Sequence, residues 1–326
     1  MIDLSVKYMG FNLKNPIIIA SSGLTDSVEK IKELEKNNAA AVVLKSLFEE
    51  QIMIDTYHRI KSSGSDYTDA FDYLNTYTKQ HSISNYLKLI SDAKKSVDIP
   101  IIASVNCASD SEWINFAGKI ESAGADALEI NVSFLPVDEN ISCTDYEKKY
   151  FSIIKKVKSK ISIPLSLKMS YYSSGLAHLI KNLIWTDNVD SFVLFNRFYQ
   201  PDIDIDNFKI RASNMFTSSN DISTSLRWIA ILSGKLDAEF VATTGVHSGE
   251  DVIKQLLAGA TAVQIASAIY KHGPEYISEI LKSVEKWMIN KNFSQLSDFR
   301  GKLKYNKELY NSAYERTQFL KYYGSE

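Results

Sequence analysis

The chain has 326 residues, 45% of them apolar, and its 37 lysines and arginines nearly balance its 39 aspartates and glutamates. This size allows one large hydrophobic core, and the near-zero net charge argues against nucleic acid and anionic membranes as partners. Cys107 and Cys143 are the only cysteines and lack metal-ligand spacing to the five histidines, so we expect neither a metal site nor a disulfide scaffold.

Eight short apolar or β-branched runs follow one another along the chain, as buried strands do. They lie at residues 17–20, 41–44, 101–104, 127–132, 165–169, 191–195, 240–243 and 262–265. Segments with helical patterning lie between them, at residues 27–37, 111–122, 145–159, 175–186, 224–236 and 249–258. This alternation predicts an α/β fold, and eight strands predict a single TIM (β/α)8 barrel.

An open doubly wound sheet is the alternative arrangement of the same elements. It is disfavoured because a Gly-x-Gly-x-x-Gly fingerprint should follow its first strand, where this chain reads Ala20-Ser-Ser-Gly23. We therefore expect one barrel domain over residues 1–326, with an aromatic-rich helical tail from about residue 303. No apolar run reaches the roughly 20 residues of a membrane span and the N-terminus lacks a signal-peptide pattern, so we expect a cytoplasmic protein.

Two long segments interrupt the alternation, at residues 48–84 and 199–223. The first is polar and tyrosine-rich, and both follow predicted strands. Long insertions at the carboxyl ends of barrel strands shape a substrate pocket or an oligomer contact, because barrels build their active sites on that face.

Small residues after the last two strands predict a phosphate site. Thr243, Thr244 and Gly245 follow one strand, and Ala266 and Ser267 follow the next. Backbone N–H groups from both turns can converge on one anion with little obstruction from side chains. A phosphorylated cofactor is therefore the expected ligand.

Polar side chains end five of the strands, where inward projection places them around a common mouth: Lys45, Asn106, Asn131, Lys168 and Asn196. Taken singly, a lysine or asparagine at a strand end faces solvent or caps the next helix as often as it binds a ligand. Five at matching positions beside a phosphate site favour a planar, amide-rich, partly anionic ligand such as a flavin with its substrate.

Several blocks of the chain resemble the class 1 dihydroorotate dehydrogenase family over about residues 1–302. The resemblance rests on the blocks at residues 10–23, 42–46, 127–133, 164–168, 193–196, 243–249, 258–260 and 264–267. The family consists of FMN-containing barrels, commonly dimers, that oxidise dihydroorotate in pyrimidine biosynthesis. The resemblance therefore implies FMN, a small-molecule substrate and a homodimer.

The resemblance also implies roles for individual residues. Asn131 and Asn196 contact the pyrimidine, and Lys45 lies beside both flavin and substrate. The remaining residues bind the cofactor: Ala20 and Ser21 contact the flavin, Lys168 lies near its N1/O2 edge, and Thr244, Gly245, Ala266 and Ser267 hold the phosphate. From the ring of polar strand ends, we also expect Asn106 and Asn131 to bind the cofactor.

The chain departs from the family at the residue that moves the proton. The family continues Asn-x-Ser with a cysteine base, whereas here Asn131-Val-Ser133 is followed by Phe134. Phenylalanine cannot titrate, and a positioned base contributes roughly 10² to 10⁴ in rate, so we expect oxidation of dihydroorotate itself to be impaired. Cys143 and Ser133 are the candidate replacements, although Cys143 also fits an incidental thiol.

Other departures concern the substrate loop and the phosphate turn. No clear Asn-x-x-Gly-x-x-Asn follows the second strand, with residues 71–75 as a loose match, and residues 217–220 replace a glycine-rich turn. Arg197 suits either a substrate carboxylate or a solvated rim, and His247 suits a surface or capping position.

Three functions fit these features. The preferred one is an FMN-dependent oxidoreductase acting on a C–C bond of dihydroorotate or a related cyclic substrate. The others are a flavin-binding subunit that exchanges electrons with a partner protein, and a catalytically lapsed barrel that binds a phosphorylated ligand. Lys45 and Lys168 argue against the lapsed barrel, because a chain without flavin chemistry has little use for two lysines in the mouth.

Overall fold

A computed structural model describes residues 2–48, 68–106, 113–198, 200–306 and 314–315. Eight parallel strands form a closed ring in the following order: β3 (Ile17–Ile19), β4 (Ala41–Val43), β6 (Ile101–Asn106), β7 (Ala127–Val132), β8 (Leu165–Met169), β9 (Ser191–Leu194), β12 (Glu239–Thr243) and β13 (Ala262–Ile265). Pairing of Val42 with Ile101 joins β4 to β6, and pairing of Val263 with Ile17 joins β13 to β3. The predicted (β/α)8 barrel is confirmed, with all eight strands in place.

In the described part of the chain, five further strands lie outside or beside this ring. A hairpin of β1 (Val6–Tyr8) and β2 (Phe11–Leu13) precedes the barrel, and β5 (Leu47–Phe48) extends the pairing along β6. A second hairpin, β10 (Pro201–Asp204) and β11 (Lys209–Ala212), lies within the insertion predicted at residues 199–223.

Helices surround the barrel. They are α1 (Val28–Lys36), α2 (Thr68–Lys94), α3 (Trp113–Ser122), α4 (Cys143–Lys158), α5 (Leu176–Ile184), α6 (Ile222–Lys235), α7 (Gly249–Ala258), α8 (Ser267–His272) and α9 (Tyr276–Asn290). The six predicted helices are present. Among the helices that the structure describes, none combines the length and the apolar composition that crossing a bilayer requires.

Helix α2 was not predicted, since it begins inside the segment that the sequence marks as a polar insertion. Its sequence mixes tyrosines, serines and charged residues without a clear apolar stripe, which is the signal that identifies a surface helix. The expected tail helix falls almost entirely outside the described residues.

Helix α7 shows how the sequence sets the ends of an element. The Ser248 side chain accepts from the Asp251 amide, and the Asp251 carboxylate accepts from the Ser248 amide, which satisfies two free donors of the first turn. The helix ends at Gly259, whose φ of 110° is a left-handed conformation that glycine adopts readily. This helix follows β12, so its first turn lies beside the predicted phosphate turn.

The register of the sheet aligns the polar residues that end adjacent strands. Asn106 pairs with Asn131, and Asn131 pairs with Lys168. One layer below, Ser104 pairs with Glu129 and both are buried. Because side chains alternate along each strand, these two layers point into the barrel while the residues between them pack against the helices.

Gly234 in α6 provides a test of the close contact between this helix and the segment at Tyr305, which follows α9. A Cβ at this position would lie 2.2 Å from the Tyr305 carbonyl oxygen, so Gly234→Ala forces the segment at Tyr305 away from α6. We expect a loss of about 1–3 kcal/mol in the free energy of unfolding, measured by urea denaturation.

Gly118 in α3 is the matched control, because its added Cβ would meet nothing closer than 3.5 Å. Gly118→Ala should be neutral or stabilising by roughly 0.4–1 kcal/mol. Equal effects of the two substitutions would contradict the close contact between α6 and Tyr305.

Candidate active site at the carboxyl end of the barrel

A cavity of about 380 Å³ lies at the carboxyl ends of β3, β8, β9, β12 and β13, within the size range of small-molecule sites. Eight of the residues predicted from the sequence line it: Ala20, Ser21, Lys168, Asn196, Thr244, Gly245, Ala266 and Ser267. A larger cleft of about 900 Å³ at the amino end of the barrel contains none of the predicted residues. The cavity at the carboxyl end is therefore the candidate site.

The turn after β12 has the geometry of an anion site. Thr244 and Gly245 have φ angles of 70° and 73°, and a Cβ at residue 245 would lie 2.1 Å from the Ile222 nitrogen, so only glycine fits there. Within the described residues, the amides of Gly245 and Val246 donate to no protein acceptor. Free amides in a turn that lines a cavity are suitable donors for a phosphate.

Thr217 links the insertion to the second turn of this site. Its amide donates to Ser267 Oγ at 3.1 Å, and its Oγ1 lies 2.8 Å from His247 Nε2. Lys271 Nζ donates to the Thr217 carbonyl at 2.9 Å. The residues that replace the glycine-rich turn thus cross-link α8, the start of α7 and the insertion.

His247 is buried, with 9% of its surface exposed, so the predicted surface position is wrong. Its amide still donates to Asp251 in the first turn of α7. Burial lowers the pKa of the imidazole, and the positive charge of Lys271 lowers it further. The ring is therefore held neutral against Thr217 at neutral pH.

Lys168 is held by a buried polar network that spans the barrel. Glu129 on β7 is 1% exposed and accepts a hydrogen bond of 2.6 Å from Gln264 Nε2 on β13, the opposite strand of the ring. Lys168 Nζ donates to Gln264 Oε1 at 3.2 Å and lies 3.5 Å from Glu129 Oε1. In the described part of the chain, that oxygen has no hydrogen bond. The network fixes an ammonium group at the cavity wall.

Three other predicted residues lie near the cavity without lining it. Asn131 is buried, and its Oδ1 accepts from Ser133 Oγ at 2.9 Å. Asn106 is half-buried at the end of β6, and Lys45 is exposed, two residues beyond β4. Register places Asn131 beside Lys168 and Asn106 beside Asn131, so these amides continue the same rim.

A hydroxyl chain that the sequence did not suggest supports the turn after β3. Ser21 Oγ lies 2.9 Å from Ser46 Oγ and accepts from the Ser46 amide at 2.8 Å, and Ser46 Oγ lies 2.7 Å from Ser104 Oγ. Alternation along β6 could have indicated that Ser104 points inward, but its partners follow only from the closed barrel.

Comparison with known proteins places this geometry in a family. The sequence model of the family described as dihydroorotate dehydrogenase matches residues 3–288. The chain belongs to the dihydroorotate dehydrogenase family.

Three relatives, all named as the catalytic subunit of dihydroorotate dehydrogenase B (NAD(+)), match over most of their length. The protein of Thermoplasma acidophilum is 27% identical over 92% of this chain and 99% of its own. That of Pyrococcus furiosus is 25% identical over 92% and 98%, and that of Methanocaldococcus jannaschii is 24% identical over 89% and 95%.

The position after Ser133 carries no dissociable group in this member of the family. Phe134 packs edge-on against Tyr150 at a centroid distance of 5.1 Å, and its ring is tilted relative to that of Tyr146 at a centroid distance of 5.9 Å. Lys149 Nζ lies 5.8 Å from the Phe134 centroid. The start of the loop after β7 is therefore anchored to α4 by aromatic contacts.

Cys143 is exposed and forms the first residue of α4. Its Sγ accepts a weak hydrogen bond from Ser174 Oγ at 3.7 Å. It does not line the cavity. Cys107 and the side chains at residues 71–75 lie outside the described part of the chain.

Arg197, next to Asn196, lines the cavity, and the insertion binds its guanidinium group. Its guanidinium donates to the carbonyl oxygens of Met215 at 2.6 Å and Asn214 at 3.0 Å, and to Gln200 Oε1 at 3.3 Å. It therefore joins the two ends of the β10–β11 insertion. Phe216 and Tyr270, which the sequence gave no reason to select, line the cavity with ring centroids 5.2 Å apart.

Removing Lys168 tests its buried pairing with Glu129. Lys168→Met leaves the Glu129 carboxylate buried without a cation, so we expect a loss of about 3–5 kcal/mol in unfolding free energy. Adding Glu129→Gln to the Lys168→Met variant should restore at least half of the lost unfolding free energy. Guanidinium denaturation without added cofactor measures both effects.

Lys45→Met is the control for losing a lysine at this end of the barrel, and because Lys45 is exposed it should change stability by less than about 0.5 kcal/mol. A Lys168→Met variant as stable as Lys45→Met would contradict the buried pair.

His247 predicts a pH dependence of stability. Its folded-state pKa lies below the ordinary value of 6.5, so between these two values the unfolded chain binds more protons. The contribution of His247 to the free energy of unfolding is complete above about pH 6.5 and falls as the pH is lowered towards the folded-state pKa. Urea denaturation at pH 7.5, 6.5 and 5.5 should show that lowering the pH reduces the free energy of unfolding less in His247→Gln than in the wild type. His178→Gln, at an exposed site on α5, is the control, and a wild-type slope retained in His247→Gln would refute the assignment.

Proposed function

We propose that the chain is an FMN-dependent oxidoreductase acting on a CH–CH bond of dihydroorotate or of a related cyclic substrate. The observation that carries the proposal is the meeting of two amide-presenting turns and a buried lysine in one cavity of about 380 Å³. Membership of the dihydroorotate dehydrogenase family supports the same activity.

The residues present fit FMN. The free amides of Gly245 and Val246, with the Ser267 amide at the start of α8, suit its phosphate, and Ala20 and Ser21 border the space for its ring system. When bound, FMN supplies the acceptor for a hydride. Lys168 would place a positive charge beside the flavin, which would stabilise the negative charge of its reduced form.

Glu129 and Gln264 are positioning residues in this proposal. They hold Lys168 Nζ from below, so the ammonium keeps its place whether or not a ligand is present. A preorganised charge costs no rearrangement when negative charge develops beside it. The same contacts limit how much of the lysine charge reaches the ligand.

The substrate side of the site is built from amides. We infer that Asn131 and Asn196 bind a cyclic imide or amide edge, because each asparagine side chain both donates and accepts. Asn106 and Lys45 complete the rim. Ser133 donates to Asn131 Oδ1, which leaves the Asn131 NH₂ group free to donate to a ligand.

Proton transfer is the step that this chain must perform differently. Phe134 holds no proton, and Cys143 is exposed at the start of α4, outside the cavity lining. Ser133 lies next to Asn131 but its hydroxyl already donates there. We therefore propose that dihydroorotate is a slow substrate and that Cys143 acts only if the start of α4 moves towards the cavity.

A second candidate function is electron exchange with a partner protein, and Phe134 is the observation that favours it. The relatives named above are catalytic subunits of NAD(+)-linked enzymes, which implies partner subunits for them. A barrel that keeps the flavin residues and lacks the base suits such a role. Copurification of the chain with a second protein would favour this function over direct substrate oxidation.

The visible spectrum of the purified protein tests the proposal. We expect a flavin spectrum, with slow bleaching on anaerobic addition of dihydroorotate. Phe134→Cys supplies a thiol at the family position, and we expect bleaching to accelerate at least about tenfold, below the full 10² to 10⁴ of a positioned base.

Phe134→Ala is the matched control, because it opens the same space without a thiol and should not accelerate bleaching. Cys143→Ala tests the replacement base, and a further loss of the wild-type rate would assign the proton transfer to Cys143. A colourless protein that FMN cannot reconstitute would overturn the proposal.

A further inference from the structure

A second cavity of about 380 Å³ shares a wall with the candidate active site. Its volume lies within the range of small-molecule sites. Phe195 and Asn196 belong to the shared wall, because they line both cavities. Tyr171, Tyr172 and Phe198 line only the second one, which we call the tyrosine cavity. A space large enough for a ligand therefore adjoins the proposed flavin site.

Aromatic rings form one side of the tyrosine cavity. The Tyr172 ring contacts those of Tyr171 and Phe198 at centroid distances of 4.3 and 5.1 Å, and Tyr171 packs edge-on against Phe195 at 5.7 Å. Tyr171 Oη donates to Tyr172 Oη at 3.1 Å, and the Tyr172 amide donates to Ser170 Oγ at 3.0 Å. Tyr171 and Tyr172 nevertheless remain 36% and 42% exposed. Rings that are held in place yet partly uncovered form a prepared surface on which another aromatic ring can pack.

Among the described residues, the lining of the tyrosine cavity carries two charges, and both are bound within the protein. The Arg197 guanidinium donates to the carbonyl oxygens of Met215 and Asn214. Asp221 Oδ2 accepts from the Ser218 amide at 2.7 Å and from its hydroxyl at 3.2 Å. A charged ligand group would therefore lose its hydration without gaining an ion pair, so the cavity suits an uncharged ring.

Asn196 connects the tyrosine cavity with the candidate active site. Its backbone amide donates to the Met169 carbonyl at 2.8 Å, which fixes the chain at the end of β9. Its side chain lines both cavities and has no hydrogen bond to another described residue. A carboxamide with a free donor and a free acceptor suits the amide edge of a ligand. A substrate bound to Asn196 can therefore extend from one cavity into the other.

We propose that the substrate is a cyclic amide that carries an uncharged aromatic substituent, with the amide ring in the candidate active site and the substituent in the tyrosine cavity. Tyr171, Tyr172 and Phe198 are then specificity-determining residues. This inference rests on the proposed function, since it requires Asn196 to bind the substrate. Dihydroorotate carries a carboxylate and no aromatic group, so it would leave the tyrosine cavity unfilled.

Paired ligands test the inference on the FMN-loaded protein. 6-Benzyluracil and 6-methyluracil have the same neutral amide edge, and neither has a CH–CH bond in its ring to oxidise, so binding is measured without turnover. In isothermal titration calorimetry we expect 6-benzyluracil to bind at least about tenfold more tightly, because only its aromatic substituent can pack in the tyrosine cavity.

Two variants locate the origin of this preference. Tyr172→Ala removes a ring from the cavity wall and Thr224→Trp fills the cavity from α6, so each should reduce the preference to about threefold or less. Trp185→Ala is the matched control, because Trp185 is an exposed aromatic residue directly after α5 that lines neither cavity. It should keep the full preference. Either variant suffices if the other fails to fold.

The visible spectrum, read before the titration, separates this inference from the proposed function. A protein that cannot be loaded with FMN would overturn both. An FMN-loaded protein that binds neither uracil, binds both equally, or keeps its preference in both variants would overturn the aromatic substituent alone.

Discussion

The hydrogen bond between Glu129 and Gln264 crosses the barrel from one strand to the opposite one, and the candidate site rests on it. A carboxylate that is 1% exposed must be paired, because an isolated buried charge costs several kcal/mol. Gln264 supplies one donor at 2.6 Å, and Lys168 supplies the positive charge at 3.5 Å. The need to satisfy Glu129 therefore fixes where the ammonium lies, and with it the electrostatics of the cavity above.

The parts of the cavity wall that come from loops are held in place by contacts with the barrel and its helices. Gly245 packs so closely on the start of α6 that no side chain fits, and Thr217 ties the insertion to Ser267 and His247. Arg197 then closes the base of the β10–β11 hairpin within one residue of Asn196. The hairpin and the part of the cavity wall at residues 215–217 thus belong to one insertion that Arg197 closes at its base.

Features that depend on a short stretch of sequence could be predicted, whereas contacts between distant residues could not. The barrel strands are buried on both faces and read as apolar runs, so they could be found without knowing their neighbours. Period-two alternation along β7 also places Glu129 on the same side as Asn131, which could have marked it as a site residue. Burial of His247 and the contacts of Arg197 could not be predicted, because they depend on residues brought together by the folded insertion. Helix α2 could not be predicted because its sequence has no clear apolar stripe.

The two halves of the site differ in how far they keep the chemistry expected of the family. On β8, β12 and β13, the lysine and the two turns that we propose bind a phosphate line one cavity, and a buried hydrogen bond holds the lysine. On the loop after β7, Phe134 lies among the rings of Tyr146 and Tyr150, so this position stabilises the loop rather than exchanging a proton. Hydride acceptance needs only the first half, whereas oxidation of a CH–CH bond needs both. The substrate or partner of this chain must therefore bring its own proton acceptor, or use one outside the family position.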